Sequence, residues 1–252
     1  MKNEAAIFVL ALQFLTRLPV PVGDLYTAER MAASVRYYPL VGALVGALSA
    51  TTFWAASLLL PHELAVLIAI AAGLLLTGAF HEDGLADTFD GVGGGQTREA
   101  ALRIMKDSRL GTYGAAALAT ALALKAGALM TLPAALVIPA LIAGHGLSRL
   151  SSVLAIATGR YVRDEGTGKP VAGGVAPAGL AVAGLTGAAI LAAWLYTAPP
   201  IALVYAIIGL IAGHIAMRAF FERKLGGYTG DTLGAVQQTS EIGFYLGLAA
   251  WL

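Results

Sequence analysis

The stretch Leu64-Ala65-Val66-Leu67-Ile68-Ala69-Ile70-Ala71-Ala72-Gly73-Leu74-Leu75-Leu76-Thr77-Gly78-Ala79-Phe80-His81-Glu82-Asp83-Gly84-Leu85-Ala86-Asp87-Thr88-Phe89-Asp90-Gly91 runs an apolar segment of membrane-entering length straight into four carboxylates. Its first half predicts a helix in lipid. Of the 252 residues, 58% are hydrophobic and only 12% charged, which excludes an ordinary water-soluble domain. Five more long apolar segments surround it: Tyr38 to Leu60, Gly111 to Leu132, Ala134 to Ala157, Val175 to Tyr196 and Ile201 to Met217. A short one, Ile242 to Leu252, closes the chain, and Ala5 to Leu18 reads as an interfacial or re-entrant helix. No secretory leader with a small-residue cleavage site is read, so these segments are expected to stay in the protein. The expected fold is all-α: a polytopic membrane helix bundle of about six to seven transmembrane helices plus the short N-terminal helix, with residues 1–252 forming one domain in a lipid bilayer.

The connections alternate between charged (Arg17 to Arg36, His81 to Arg109, Arg160 to Lys169, Arg218 to Glu241) and nearly bare (Pro61 to Glu63, Lys125 to Pro133, Ala198 to Pro200). Fourteen of the sixteen Lys and Arg, all but Lys125 and Arg149, fall in the charged set or at Lys2. The positive-inside bias then puts the charged face in the cytoplasm, with the protein in the cytoplasmic (inner) membrane. The absence of cysteine excludes disulfides, thiolate metal sites and cysteine nucleophiles. Gly42 and Gly46 form a GxxxG pair of the kind that lets helices approach closely in lipid.

The chemistry is concentrated at the charged face. Crowded carboxylates repel one another unless a cation neutralises them, and oxygen ligands select a hard divalent ion. In a helix, Asp83, Asp87 and Asp90 would fall at i, i+4 and i+7 on one face. Past Gly93-Gly94-Gly95 come Arg98, Arg103, Lys106, Asp107 and Arg109. A metal followed by cations suits a diphosphate, with Lys106 and Arg109 as phosphate contacts and Asp107 orienting them. Arg149, inside an apolar segment, needs a phosphate or carboxylate partner or must snorkel to the interface. His145 and His214 read as neutral packing histidines. The glycine-rich block Gly226-Gly227-Tyr228-Thr229-Gly230-Asp231 and the following Glu241 are expected to complete the site on metal or nucleotide, Tyr228 and Glu241 among the substrate contacts. Gly166 to Gly174, with Lys169, reads as a loop able to cover substrate.

Asp87-Thr88-Phe89-Asp90-Gly91 has the D-x-x-D-G shape of membrane enzymes that transfer a phosphoalcohol from a CDP-activated donor, but the rest of that pattern is not matched. A denser match exists. Phe14-Leu15-Thr16-Arg17-Leu18-Pro19-Val20-Pro21, Tyr38-Pro39-Leu40-Val41-Gly42, Phe80 through Gly91, Ile104-Met105-Lys106-Asp107-Ser108-Arg109-Leu110-Gly111-Thr112-Tyr113-Gly114 and Gly226 through Ala235 together resemble the cobalamin synthase family, the adenosylcobinamide-GDP ribazoletransferases. The resemblance implies a magnesium-dependent transferase of the cytoplasmic membrane that joins adenosylcobinamide-GDP to α-ribazole or its 5'-phosphate and releases GMP. On that reading Asp83, Asp87 and Asp90, with Asp231, hold Mg²⁺. His81, or Glu82 or Asp87 when not bound to metal, takes the proton of the ribazole hydroxyl. Nucleic acid is not an expected partner, and a homo-oligomer is compatible with the reading. Two other functions compete: a CDP-alcohol phosphotransferase acting on a lipid alcohol, and a cation-coupled transporter, which would place ionisable residues near the bilayer midplane.

Overall fold

A computed structural model describes residues 2–163, 166 and 168–252. Its helices, in chain order, are α1 (Lys2–Leu15), α2 (Ala28–Ala33), α3 (Tyr38–Ser57), α4 (His62–Thr77), α5 (Phe80–Gly94), α6 (Arg98–Ile104), α7 (Thr112–Thr131), α8 (Ala134–Thr158), α9 (Pro177–Thr197), α10 (Pro200–Leu225) and α11 (Gly230–Trp251). The only β pairing among the described residues is an isolated parallel bridge between Tyr161 and Tyr228. The all-α expectation holds, because a backbone in lipid must satisfy its own hydrogen bonds. Prolines mark several starts, at Pro39, Pro177 and Pro200, where the missing N–H would have had no helical partner anyway.

Five helical stretches are long and apolar enough to cross a membrane: Ala28–Ser57, which runs through a 3₁₀ turn into α3, then α7, α8, α9 and α10. The pair α4 and α5 adds a sixth if counted as one broken span. Large apolar side chains such as Leu75, Leu185 and Ile208 face outward, as a lipid-facing surface requires. With 14 residues α1 is too short to span, and it buries Ala6, Ile7, Leu10 and Ala11 instead. Gly42 and Gly46 do the work predicted of them: a Cβ at either would strike backbone of α8, at His145 and at Leu141 and Ile142. A second glycine seam joins α10 to α11, where Gly209 and Gly213 meet Gly243 and Thr239.

Three expectations need correction. The apolar run from Leu64 to Phe80 is not one straight span: α4 stops at Thr77, and α5 leaves at 86°. Gly78 caps α4 with φ +65°, its N–H reaching the Leu74 and Leu75 carbonyls, and Ala79 is also left-handed at φ 55°. Two such residues in a row turn the chain across the bundle, and the Arg17 N–H donates to the Leu76 carbonyl (2.7 Å) beside the bend. The charged connection expected from Arg218 to Glu241 is mostly helix: α10 continues to Leu225, and Thr229 caps α11 in a reciprocal capping box with Thr232, so that helix runs from Gly230. The closing apolar segment is therefore the second half of a 22-residue helix. Lys125 lies in no connection: it is inside α7 and buried. Within the charged connection and the candidate covering loop, Asp164, Glu165 and Thr167 lie outside the described residues.

Candidate active site

Helix α5 carries the acidic run and lies against α11. The contact is backbone on backbone: a Cβ on Gly84 would sit 2.6 Å from the Asp231 carbonyl oxygen, and one on Gly234 would sit 3.0 Å from the His81 carbonyl oxygen. Gly84 thus lets Asp231 come up beside Asp83 and Asp87, one helical turn apart on α5. The three carboxylates are close enough to act on one another electrostatically. Burial pushes the Asp231 carboxyl above its ordinary range and Asp83 adds to the shift, against the pull of Arg163. Arg163 Nη1 pairs with Asp231 Oδ2 at 2.7 Å. Nε and Nη2 of the same guanidinium are buried without an acceptor among the described residues. The arrangement is three carboxylates from two helices and one cation, with two guanidinium nitrogens that meet no acceptor among the described residues.

Asp90 also acts on Asp87 electrostatically, but its own oxygens are engaged elsewhere. Its two oxygens accept the backbone N–H groups of Gly111 (2.7 Å) and Gly114 (2.8 Å), so it caps the first turn of α7. The i, i+4, i+7 reading correctly put Asp83, Asp87 and Asp90 on one helix, but the third carboxylate is engaged by α7. No group of three or more His, Asp or Glu among the described residues is already gathered around a single metal position. The donor chemistry still fits a hard divalent cation, since Asp83, Asp87 and Asp231 offer oxygen only and their charge exceeds that of Arg163.

Glu82, the remaining carboxylate of the run, points inward to a second polar group. Lys125 of α7 lies 3.1 Å from Glu241 and 3.8 Å from Glu82, and donates to Gln238 Oε1 at 2.9 Å. Glu241 also accepts from Gln237 Nε2 (2.6 Å) and the Tyr245 hydroxyl (3.2 Å), and lies 3.4 Å from His145 Nδ1. Arg149 does not snorkel: it is buried, with Nη1 on the His145 carbonyl (2.9 Å). Glu82, Lys125, His145, Arg149, Gln238 and Glu241 line a cavity of about 10 Å³, room for no more than a water. Asp231 and Glu241, expected to complete one site, are therefore split, since ten residues of helix separate them by about 15 Å. Charged groups buried inside the bundle are thus present as well as those of the charged face, so the placement of charge alone does not separate an enzyme from a transporter.

The other residues singled out from the sequence are dispersed. Arg109 is exposed and forked onto Asp107 (Nη2 to Oδ2, 2.6 Å), which holds the Asp107 carboxyl down at about 2. Lys106 is exposed in the same turn. Tyr228 is buried against Tyr161, and its backbone exchanges hydrogen bonds with Arg160 and Val162. His81 is buried with Nδ1 unpartnered, at the wall of a small cavity shared with Arg149, Gly230 and Gly234. His145 packs as expected but touches Glu241, and His214 Nδ1 lies 2.7 Å from the Ser151 hydroxyl. The sequence reading gave no role to Arg163, Lys125, Gln237 or Gln238. Lys125 carried the signal that flagged Arg149, a lone cation in an apolar segment; Arg163 carried none, in a connection already rich in charge.

Comparison with known proteins came to one result. The family model described as Cobalamin-5-phosphate synthase matches residues 7–249. The chain is similar to the adenosylcobinamide-GDP ribazoletransferase of Leptothrix cholodnii, at 48% identity over 99% of this chain and 96% of that protein. It is also similar to those of Shewanella frigidimarina (46%, over 98% and 95%) and Shewanella oneidensis (44%, over 96% and 93%). No solved structure matches it.

Proposed function

The chain belongs to the cobalamin-5-phosphate synthase family, and we propose from that premise how its acidic face performs the last joining step of the cobalamin nucleotide loop. The enzyme transfers the phospho-adenosylcobinamide group of adenosylcobinamide-GDP to α-ribazole or its 5'-phosphate. The ribazole oxygen forms a new bond to phosphorus, the diphosphate bridge breaks, and GMP leaves. The observation that carries the reading is the convergence of Asp83 and Asp87 of α5 with Asp231 of α11, beside Arg163, whose buried Nε and Nη2 have no acceptor among the described residues.

Asp83, Asp87 and Asp231 would hold Mg²⁺, which when bound neutralises the diphosphate and stabilises the departing phosphate. The chain's own groups do the rest. Arg163 gives the N–H groups of Nε and Nη2 to phosphate oxygens, a bidentate contact that holds the phosphorus in line for attack. The ribazole hydroxyl loses its proton to Asp87 where that carboxylate is not taken up by the metal, since Asp87 is the half-buried member of the cluster, whereas His81 is buried at a cavity too small for the substrate. Asp90 stays out of the reacting shell and holds the start of α7 against α5. Lys106 and Arg109, exposed in the α6–α7 turn, attract the anionic substrate rather than grip it. The charged face is cytoplasmic by its excess of Lys and Arg.

The test uses membranes containing this chain, supplied with adenosylcobinamide-GDP, α-ribazole and Mg²⁺. GMP release together with a phosphodiester-linked corrinoid, seen by mass spectrometry, is the expected result, with turnover lost in Asp87→Asn at unchanged membrane insertion. Turnover of CDP-activated donors alone would refute the substrate assignment. Release of GMP in detergent, with no sealed compartment, excludes transport as the primary activity.

A further inference from the structure

We propose that Lys125 is a positioning residue: from inside the bundle it anchors Glu82 of α5 beside Glu241 of α11 and so sets how Asp83 and Asp87 face Asp231. The inference rests on the reading of those aspartates as metal ligands. Three helices meet at this ammonium group, which lies 3.1 Å from Glu241, 3.8 Å from Glu82 and 2.9 Å from Gln238 Oε1. Both carboxylates and the lysine side chain are at most 8% exposed.

The two carboxylates are not equivalent. Glu241 has further partners in Gln237, Tyr245 and His145, and stays fixed without the lysine. Glu82 has no other ion-pair partner among the described residues, and its Oε2 is buried with no hydrogen bond. A buried carboxylate held from one side moves if that side is removed, because leaving it unpaired costs more than a shift of its helix. Glu82 immediately precedes Asp83 in the first turn of α5, so rotation of that turn turns the metal-facing carboxylates away from Asp231. The bend at Gly78 and Ala79 means that no continuing α4 holds this turn from behind, so its rotation is set by its packing on α11 and by the anchor on Glu82. Nothing in the chemistry requires Lys125 to touch substrate, and the cavity beside it is too small to admit one.

The experiment compares Lys125→Met, Lys125→Arg, Glu82→Ala and the double variant Lys125→Met/Glu82→Gln with the parent protein. Two readouts are taken without turnover, Mn²⁺ affinity by electron paramagnetic resonance and the thermal melting point. A third is the Mg²⁺ concentration that gives half-maximal GMP release. Loss of the anchor is expected to weaken Mn²⁺ binding about tenfold or more in Lys125→Met, as removal of supporting groups does at metal sites. Glu82→Ala, which loses the anchor without stranding a charge, should match it, and Lys125→Arg should bind near the parent. The double variant decides between positioning and charge balance: it should melt near the parent yet still bind Mn²⁺ weakly. Parent-like Mn²⁺ binding in Glu82→Ala or in the double variant overturns the proposal. Should Asp87→Asn itself leave Mn²⁺ binding intact, the metal reading fails first, so the two failures are told apart.

Discussion

Replacing Gly84 by alanine separates the geometry of the site from the stability of the fold. The added Cβ would stand 2.6 Å from the Asp231 carbonyl oxygen and 3.0 Å from its Cα, both backbone atoms that cannot rotate aside. Ordinary contact begins at 3.4 Å, so α5 and α11 must part by about 0.8 Å. Overpacking of this kind costs about 1–3 kcal/mol, while alanine gains about 1 kcal/mol over glycine in a helix interior, for a net loss of roughly 0–2 kcal/mol. The same displacement falls directly between Asp83/Asp87 and Asp231, where a shift near 1 Å lowers turnover by about 10². Gly84→Ala should therefore insert and melt within a few degrees of the parent while GMP release falls by about two orders of magnitude. Gly127→Ala in α7 is the control, since a Cβ there meets nothing within 4 Å, and it should leave turnover unchanged. Turnover of Gly84→Ala within about twofold of the parent would show that the approach of the two helices does not set the metal site.

Asp90→Ala removes the acceptor of two backbone N–H groups at the start of α7 and should cost about 2–4 kcal/mol in denaturant or thermal unfolding, while Mn²⁺ affinity changes little. A tenfold loss of Mn²⁺ affinity in a well-folded Asp90→Asn protein would return this residue to the ligand set. Because burial raises the Asp231 carboxyl, the native state holds its proton at pH values where the unfolded chain has lost it. The contribution of this residue to stability is thus full below the usual carboxylate range and falls as pH rises from about 4 upward. In EDTA the melting point should drop more steeply with pH for the parent than for Asp231→Asn, and Mg²⁺ should remove the difference; parallel curves contradict the assignment. Arg163→Ala should raise the KM for adenosylcobinamide-GDP and lower kcat, and Arg163→Lys, lacking the fork, should restore little of either. Equal kinetics for Arg163→Lys and the parent would mean that no bidentate phosphate contact is made.

Composition and segment lengths were enough to read this chain as a membrane bundle, because in hydrocarbon only a helix satisfies its own backbone, whatever packs beside it. Alternating charged and bare connections marked off the spans, because Lys and Arg are biased to one side of a membrane, and the GxxxG pair named a seam before α8 was known to fill it. The acidic run was equally legible as a cluster, since its members are neighbours in one helix. What each carboxylate does was not legible. Asp90 belongs to the backbone of α7, Glu82 to Lys125, and Asp83 and Asp87 to Asp231, and these partners lie some 21 to 148 residues away in the chain. The bend was not read: the apolar run continues to Phe80, and an alanine in left-handed conformation at position 79 is dictated only by what surrounds it. A buried charge takes whichever counter-charge the packing brings within a few ångströms, and helices distant in sequence decide that only when they close on one another.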